Sequence, residues 1–519
     1  MQPTIILSTL NAKYIHASLG LRYLLANMAR YGSQELRERT VMREFTIARP
    51  SSEIVDALLA ELGEASADTR QIIGFGIYIW NVTQTTEVIR QLKQRRPLLK
   101  IILGGPEVSY ECDDQEIIRL ADHVITGWGD VSLPQLCKAI ICGPQPLMKV
   151  INGEQAPLAE IELPYDEFSN DDLAHRLLYV EASRGCPFKC EFCLSALDKT
   201  AWAFELSRIL TALEKLYDRG ARNFKFVDRT FNLKIDFSLA ILQFFLERLS
   251  PELFLHFEVI PDHLPERLKE MIARFPAGAL QFEVGIQTFD TEVQQRISRR
   301  QDNDKTSANV SWLVNHSHAH LHTDLIFGLP GETLAGFAVG FDRLYALQPH
   351  EIQLGVLKRL RGTPIDRHSK KYGMVYDPKP PYTVVQTADV CVAELAQFTR
   401  LARYWDLTAN SGRFKQTLAV LLTGTSPFTA FLNFSDWLWQ TTGKTSGLTP
   451  EILVDLLFNY LTEQQGRAAE EIRQILLADY LASGARANPN CLTGLLKGRE
   501  QPITKTERAL TQRQERHVS

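Results

Sequence analysis

The sequence has no uninterrupted apolar run of the roughly 18–20 residues that would cross a bilayer as a helix. The nearest approach, Leu418 to Phe434, is broken by Gly424-Thr425-Ser426-Pro427, so no membrane span is expected. A strong charge bias is also missing. The 57 Lys and Arg are offset by 61 Asp and Glu, for a formal net charge of -4. That is not the basic excess of a nucleic-acid footprint, and a small-molecule substrate is the expected partner. Cysteine is scarce, and eight in 519 residues do not make the disulfide framework of a small secreted protein. No basic leader precedes the short apolar run Thr4-Ile5-Ile6-Leu7, so a cytoplasmic protein is expected.

The residues that are there, 45% apolar and 23% charged, have an ordinary globular balance over a chain too long for one core. Up to about residue 140, short apolar runs alternate with amphipathic stretches such as Ser18 to Tyr31 and Ser51 to Glu64. The runs are Thr4 to Leu7, Thr40 to Phe45, Gln71 to Tyr78, Lys100 to Leu103 and His123 to Thr126. Five β-α units predict a doubly wound, Rossmann-like domain over 1–145, with ligands beyond the carboxyl ends of the strands. A Pro-containing acidic connector, 146–176, reads as a linker. Six further strand-like runs follow: Leu178 to Ala182, Phe224 to Val227, Phe254 to Ile260, Leu280 to Gly285, His320 to Phe327 and Glu351 to Val356. They predict a partial (β/α)6 TIM-type barrel over 177–376. An all-helical domain is expected over 377–484 and a disordered tail over 485–519.

Three of the cysteines fall within the ten residues Arg184-Gly185-Cys186-Pro187-Phe188-Lys189-Cys190-Glu191-Phe192-Cys193, directly after the first barrel strand. Thiolates are soft ligands suited to iron-sulfur clusters. A cubane takes four protein ligands when it is closed, so three leave one iron open. The competing reading is a structural zinc loop, but such sites usually close with four ligands in paired Cys-x2-Cys units, and no second pair exists. His316, His318, His320 and His322 alternate ahead of the fifth strand and could share a face; solvated or satisfied histidines are expected there rather than a second metal site. Cys112, Cys137 and Cys142 are expected to be small buried side chains.

From residue 178 to about 360 the chain resembles the radical S-adenosylmethionine (SAM) superfamily. As a whole it resembles the branch with an amino-terminal cobalamin (B12)-binding domain and a carboxyl-terminal helical domain of unknown function, DUF4080. The resemblance implies a [4Fe-4S] cluster on Cys186, Cys190 and Cys193, reductive SAM cleavage, and an electron donor such as flavodoxin or ferredoxin. Phe192 would lie by the SAM adenine. Gln281 to Thr288 resembles the fourth-strand motif, which puts Glu283 and Gln287 near the methionyl and ribose groups. Ile297-Ser298-Arg299-Arg300 resembles the next segment, where Arg299 would pair with the SAM carboxylate. Thr323 to Thr333 resembles the fifth-strand motif, whose Gly328-Leu329-Pro330-Gly331 turn lets backbone approach the cofactor. Its plainer reading is a strand-turn-helix with Glu332 in the helix's first turn.

At the end of the second strand, Asp228 and Arg229 would lie near the SAM amino group, although Phe226 to Asn232 departs from the usual Gly-Gly-Glu form and the two could simply be an ion pair. In the first domain no Asp-x-His-x-x-Gly string supplies a cobalt ligand. Gly104-Gly105-Pro106-Glu107 and Gly127-Trp128-Gly129-Asp130 resemble the branch's strand-end turns, so Gly104, Gly105 and Gly127 would approach cobalamin. The activity this implies is cobalamin-dependent methyl transfer to an unactivated centre. A radical cyclase or rearrangement enzyme, or a non-catalytic cluster and cobalamin sensor, is the alternative.

Overall fold

In strand β1 (Ile5–Asn11) neighbouring side chains enter different cores. Ile5 and Leu7 join Leu21, Leu25 and Met28, whereas Ile6 and Leu10 join Ile54, Val55 and Leu58. A strand buried on both faces reads as a continuous apolar run, which is why this one is conspicuous in the sequence. The computed structural model describes residues 4–64, 70–144, 146–424, 426–485, 487–496 and 516–517. Beside β1 run β2 (Thr40–Thr46), β3 (Ile72–Gly76), β4 (Lys100–Gly104), β5 (His123–Thr126) and β6 (Val150–Asn152), all parallel, in the order β2-β1-β3-β4-β5-β6. The order reverses between β1 and β3, which opens a crevice beyond their carboxyl ends. The sixth strand lies in the expected linker; at three half-exposed or exposed residues it is too short to show periodicity.

The chain folds into two compact units, whose limits do not follow the expected domains. The first is Met1–Arg229 with Lys358–Asp366 and Asp377–Thr383; the second is Thr230–Leu357, Arg367–Tyr376 and Val384–Ser519. In the first unit β7 (Leu178–Val180) is followed by the antiparallel pair β8 (Ser183–Arg184) and β9 (Trp202–Ala203), and then by β10 (Asn223–Phe226), which pairs parallel with β7. The two segments from beyond residue 357 are held by charge. Glu107, buried, accepts from Arg361 Nε at 2.9 Å and from Tyr382 Oη at 2.5 Å, and Glu111 pairs with both Arg359 and Arg361.

In the second unit β11 (Phe254–Val259), β12 (Leu280–Gln287), β13 (His320–Phe327) and β14 (Glu351–Val356) are parallel neighbours. The six runs expected for the barrel have thus all formed strands, two in the first unit and four in the second. The region after 376 is not all-helical. Strand β15 (Val375–Tyr376) pairs antiparallel with β16 (Val384–Gln386) before helices 392–408, 415–421, 427–442, 450–459 and 469–482. Ser426 caps Pro427–Thr442 with Pro427 in its first turn, so these two of the residues that break the apolar run start a helix. Phe327 of β13 and Phe337 pack against Phe398, tilted and edge-on, and Phe341 packs on Trp405, which joins these helices to the strands.

Three expectations need correction. Of the tail 485–519, residues 485, 487–496 and 516–517 are described, and these are bonded into the fold: Asn490 N–H donates to Asp455, and Arg516 Nε donates to Ser411 O. The rest of that tail lies outside the described residues. Cys142 is exposed and Cys112 half-buried, so only Cys137 of that trio is a buried side chain. His316 ends helix Asn303–His316, and the alternation survives only in β13. There His320 meets Glu351 at 3.2 Å, and His322 meets Gln353 at 2.7 Å.

The connector is pinned along helix Leu19–Tyr31. Asn27 exchanges hydrogen bonds with the Glu162 backbone, and buried Arg22 bridges Glu44 (3.0 Å) and Asp172 (2.9 Å). Arg176 closes the network on the same two carboxylates. Burial opposes the charged form of Asp172, but Arg22, the Ser169 N–H and Arg176 together outweigh that and hold its pKa at about 2. A depressed carboxyl stabilises the fold above its unfolded pKa of about 4, and that contribution is lost as pH falls toward the folded value. Asp172→Asn is expected to cost about 2 kcal/mol in urea unfolding at pH 7, with the gap from wild type narrowing below about pH 4. An equal gap at both pH values would contradict the pairing.

Candidate functional site

The cysteine loop is closed by the β8–β9 ribbon. Gly185 sits at φ +81°, where a Cβ would come within 2.8 Å of Asp198 O and Ala201 N, so only glycine fits. The next residue begins the triad. Cys186 and Cys190 are buried and Cys193 is half-buried; Cys186 N–H donates to Asp198 O and Cys193 N–H to Cys190 O. Burial pushes the Cys186 thiol up, the Phe188 backbone hydrogen bond opposes that, and the nearby Cys193 and Cys190 push it up a little further. Among the described residues no three His, Cys, Asp or Glu side chains converge as ligands of a single ion. Phe192 is half-buried between Glu191 and Cys193, and Glu191 O accepts from Ile365 N–H at 3.1 Å.

Arg184, immediately before this turn, is nine-tenths buried. Its guanidinium forms a bidentate pair with Asp130 (2.8 and 3.1 Å), reaches Glu181 at 2.9 Å, and lies over the rings of Tyr23 and Trp128. Asp130 ends the Gly127-Trp128-Gly129-Asp130 turn that leaves β5. The cysteine loop is thereby clamped to the Rossmann-like sheet by a side chain that sequence reading passed over.

Around that clamp lies a cavity of about 330 Å³, within the size range of small-ligand sites. Its walls include Leu7, Gly74, Gly76, Gly104, Gly105 and Gly127 from the strands and their ends, and Arg184, Gly185 and Asp198 from the cysteine side. Gly105 adopts φ +105°, with a Cβ position overlapping Ile77 O; Gly127 has no heavy atom within 4 Å of its Cβ position. Gly104 has only Ile125 O nearby, at 3.8 Å. This is a cradle that side chains would fill, which fits the flat tail of a corrinoid entering from the strand ends. None of the lining residues is histidine. His16, five residues past the end of β1, is engaged by Tyr179 Oη at 2.7 Å.

Asp228 is not an ion-pair partner here in the simple sense considered from sequence. Its carboxyl accepts from Ala182 N–H (3.0 Å) and Ser183 Oγ (2.5 Å), which fastens the end of β7, and burial pushes its pKa up to about 7. Arg229 stands next to it in the same unit, and its charge bears on the Cys186 thiol.

The second unit carries Glu283, Gln287, Arg299 and Gly328. β12 is irregular between Gly285 and Gln287, and Gln287 has φ +70°, strain that tends to be kept where a side chain must be aimed. Gln287 Oε1 is buried with no hydrogen-bond partner among the described residues, an acceptor suited to a hydroxyl-bearing ligand such as SAM. Arg299 donates to Gly285 O and to Gln301 Oε1, and Glu283 meets His256 at 3.0 Å. Gly328 opens its turn at φ +88°. Glu332 is not in the helix's first turn: Thr333 caps that helix, and the buried Glu332 carboxyl folds back to accept from Gly328 and Leu329 N–H. Burial pushes its pKa up to about 8. Sequence reading missed that brace because its partners are backbone groups of the turn itself.

Comparison with known proteins agrees with this layout. Family models match as B12 binding domain over residues 6–137, radical SAM superfamily over 180–339, and protein of unknown function DUF4080 over 370–518. An uncharacterized methyltransferase of Pyrococcus horikoshii is 28% identical over 228 residues, covering 37% of this chain and 48% of the relative. The cobalamin-dependent radical SAM methyltransferase TokK of Streptomyces tokunonensis is 22% identical over 361 residues, 60% of this chain and 50% of that protein. The chain thus spans about half the length of the curated relatives it matches. The structure of the radical SAM methyltransferase TsrM of Kitasatospora setae, with cobalamin and a [4Fe-4S] cluster bound, superposes with a TM-score of 0.58 at 15% identity. That match covers 85% of this chain and 99% of TsrM, a likeness of fold.

The cavity supports a direct test. Gly104→Leu, whose side chain has the cavity to enter, is expected to weaken hydroxocobalamin binding at least about tenfold in an absorbance titration, or about 1.4 kcal/mol. Unchanged affinity in a folded variant would place the corrinoid elsewhere.

Proposed function

The chain belongs to the radical SAM superfamily, with a B12 binding domain ahead of the radical SAM domain and a DUF4080 region behind it, and from that premise we propose that it is a cobalamin-dependent methyltransferase. The substrate class is a small molecule with an unactivated carbon or phosphorus centre, the electron comes from a flavodoxin or ferredoxin, and the enzyme works in the cytoplasm. One observation carries the reading. The glycine-lined cavity and the cysteine loop share a wall, since Arg184, Gly185 and Asp198 line the space that Gly104 and Gly127 open. A corrinoid tail seated there lies against the loop that would hold the cluster. The relatives named as methyltransferases favour methyl transfer over cyclisation.

In this scheme Cys186, Cys190 and Cys193 hold the [4Fe-4S] cluster, with Phe192 beside the SAM adenine. On the second unit the resemblance gives Gln287, Arg299, Glu283 and the Gly328 turn as SAM-contacting positions, and the unpartnered Gln287 Oε1 offers an acceptor for such a ligand. Asp228 keeps the first strand end in place through Ala182 and Ser183, and the charge of Arg229 opposes in small part the rise that burial imposes on Cys186. When bound, these groups supply a 5′-deoxyadenosyl radical from SAM at the cluster and a methyl carrier in cobalamin. The protein's burial of Cys186 and Cys190 keeps water and oxygen from them.

Anaerobically reconstituted wild-type protein is expected to release 5′-deoxyadenosine under reduction and to pass the methyl label of SAM to a small-molecule acceptor, and Cys190→Ala is expected to lower release at least about a hundredfold, some 2.7 kcal/mol of barrier. Equal release by Cys190→Ala would refute the site. Release without label transfer would point to a cyclase or rearrangement enzyme, and no release from a loaded cluster to a sensor.

A further inference from the structure

Trp128 belongs to two structures at once. It stands in the wall of the cavity, in the turn between β5 and helix Ser132–Cys142, and its indole Nε1 donates to Asp198 Oδ2 at 2.8 Å. Asp198 lies in the cysteine loop. Its carbonyl oxygen accepts from Cys186 N–H at 2.9 Å, and its other carboxylate oxygen accepts from Thr200 N–H at 3.0 Å. Thr200 Oγ1 in turn donates to Arg184 O at 3.2 Å. Two hydrogen bonds therefore lead from the cavity wall to the backbone of the first cysteine. The indole also contacts the Arg184 guanidinium, 4.8 Å from its centroid, and the Trp202 ring, near-perpendicular at 5.9 Å. Its carbonyl overlaps the Cβ position of Gly153, just past β6, so the backbone of the turn has little room to shift.

We propose that Trp128 is a positioning residue through which a corrinoid in the cavity and the cluster in the cysteine loop favour each other's binding. The inference rests on the functional reading above in that both groups must bind. A ligand that fills the cavity packs against Trp128 and narrows its motion, which orders Asp198 and, through it, the Cys186 backbone. A loop already ordered by its cluster presents a finished wall to the ligand. Coupling between two sites is reciprocal in free energy, so the factor by which one group tightens the other is the same in both directions. A bidentate ion pair, Asp130 with Arg184, runs parallel to this route and keeps the two walls together when either group is absent. That leaves the Trp128–Asp198 bond as the element that responds to the ligand.

The experiment measures hydroxocobalamin affinity by absorbance titration on reconstituted wild-type protein and on the same protein stripped of iron by a chelator. Iron release to bathophenanthroline is timed with and without saturating hydroxocobalamin. The expected result is affinity tighter by roughly fivefold or more when the cluster is present, with slower iron release when the corrinoid is present. Trp128→Phe keeps a ring under Arg184 and loses the indole N–H; it is expected to bind both groups with that difference abolished. Trp202→Phe, whose contact with Trp128 is ring packing alone, is expected to keep it. Equal hydroxocobalamin affinity in the two wild-type forms would overturn the coupling whether or not Trp128→Phe folds. Full coupling in a folded Trp128→Phe would overturn the role of Trp128. Wild-type protein that takes up neither group would contradict the functional reading itself, and the coupling with it.

Discussion

The Arg184 guanidinium joins what would otherwise be two separate pieces of the first unit. Taking an arginine nine-tenths out of water is costly, and the cost is offset only by good geometry: a bidentate carboxylate, a second carboxylate and aromatic faces, all of which it has. Because Gly185 and Cys186 follow directly in the chain, whatever fixes Arg184 also fixes the first sulfur. Because Asp130 ends the turn after β5, the same pair fixes one wall of the cavity. The cavity and the cysteine loop are therefore not independent sites, and the way they share Trp128, Asp198 and Arg184 follows from this one buried charge.

Much of the fold could be read from the sequence, for a physical reason. Strands of parallel sheets are buried on both faces, and a run such as Thr4 to Leu7 stands out for that reason; in His320 to Phe327 the polar His320, His322 and Thr323 bond across to Glu351 and Gln353 of the neighbouring strand. What escaped was short or edge-like. β6 has three residues and little burial, and β15 and β16 form a ribbon of two and three residues inside a region otherwise patterned for helix. The unit boundary also escaped, because residues 358–366 and 377–383 belong to the first unit through pairings with Glu107 and Glu111, about 250 positions away in the chain. Nothing local in an arginine announces a partner at that distance.

The site shows the same division. The cysteine spacing carries its chemistry in ten consecutive residues and needed no fold to be seen. Gly104, Gly105 and Gly127 could be singled out because glycine at a strand end leaves room, and the structure puts all three in the cavity wall. The roles of Trp128, Asp198 and Glu332 could not be read, since each depends on which backbone group or side chain tertiary structure brings opposite. Asp228 was noticed for its place at a strand end expected near the SAM amino group, whereas its observed bonds are to the end of the neighbouring strand.

The proposed chemistry requires an iron-sulfur cluster held by three cysteines with one iron open to SAM. Mössbauer spectroscopy of protein reconstituted with enriched iron tests this most directly. The expected spectrum is that of a four-iron cluster in which adding SAM moves the signal of a single iron and leaves the other three in place. A spectrum indifferent to SAM, or protein that retains zinc and no iron, would contradict it.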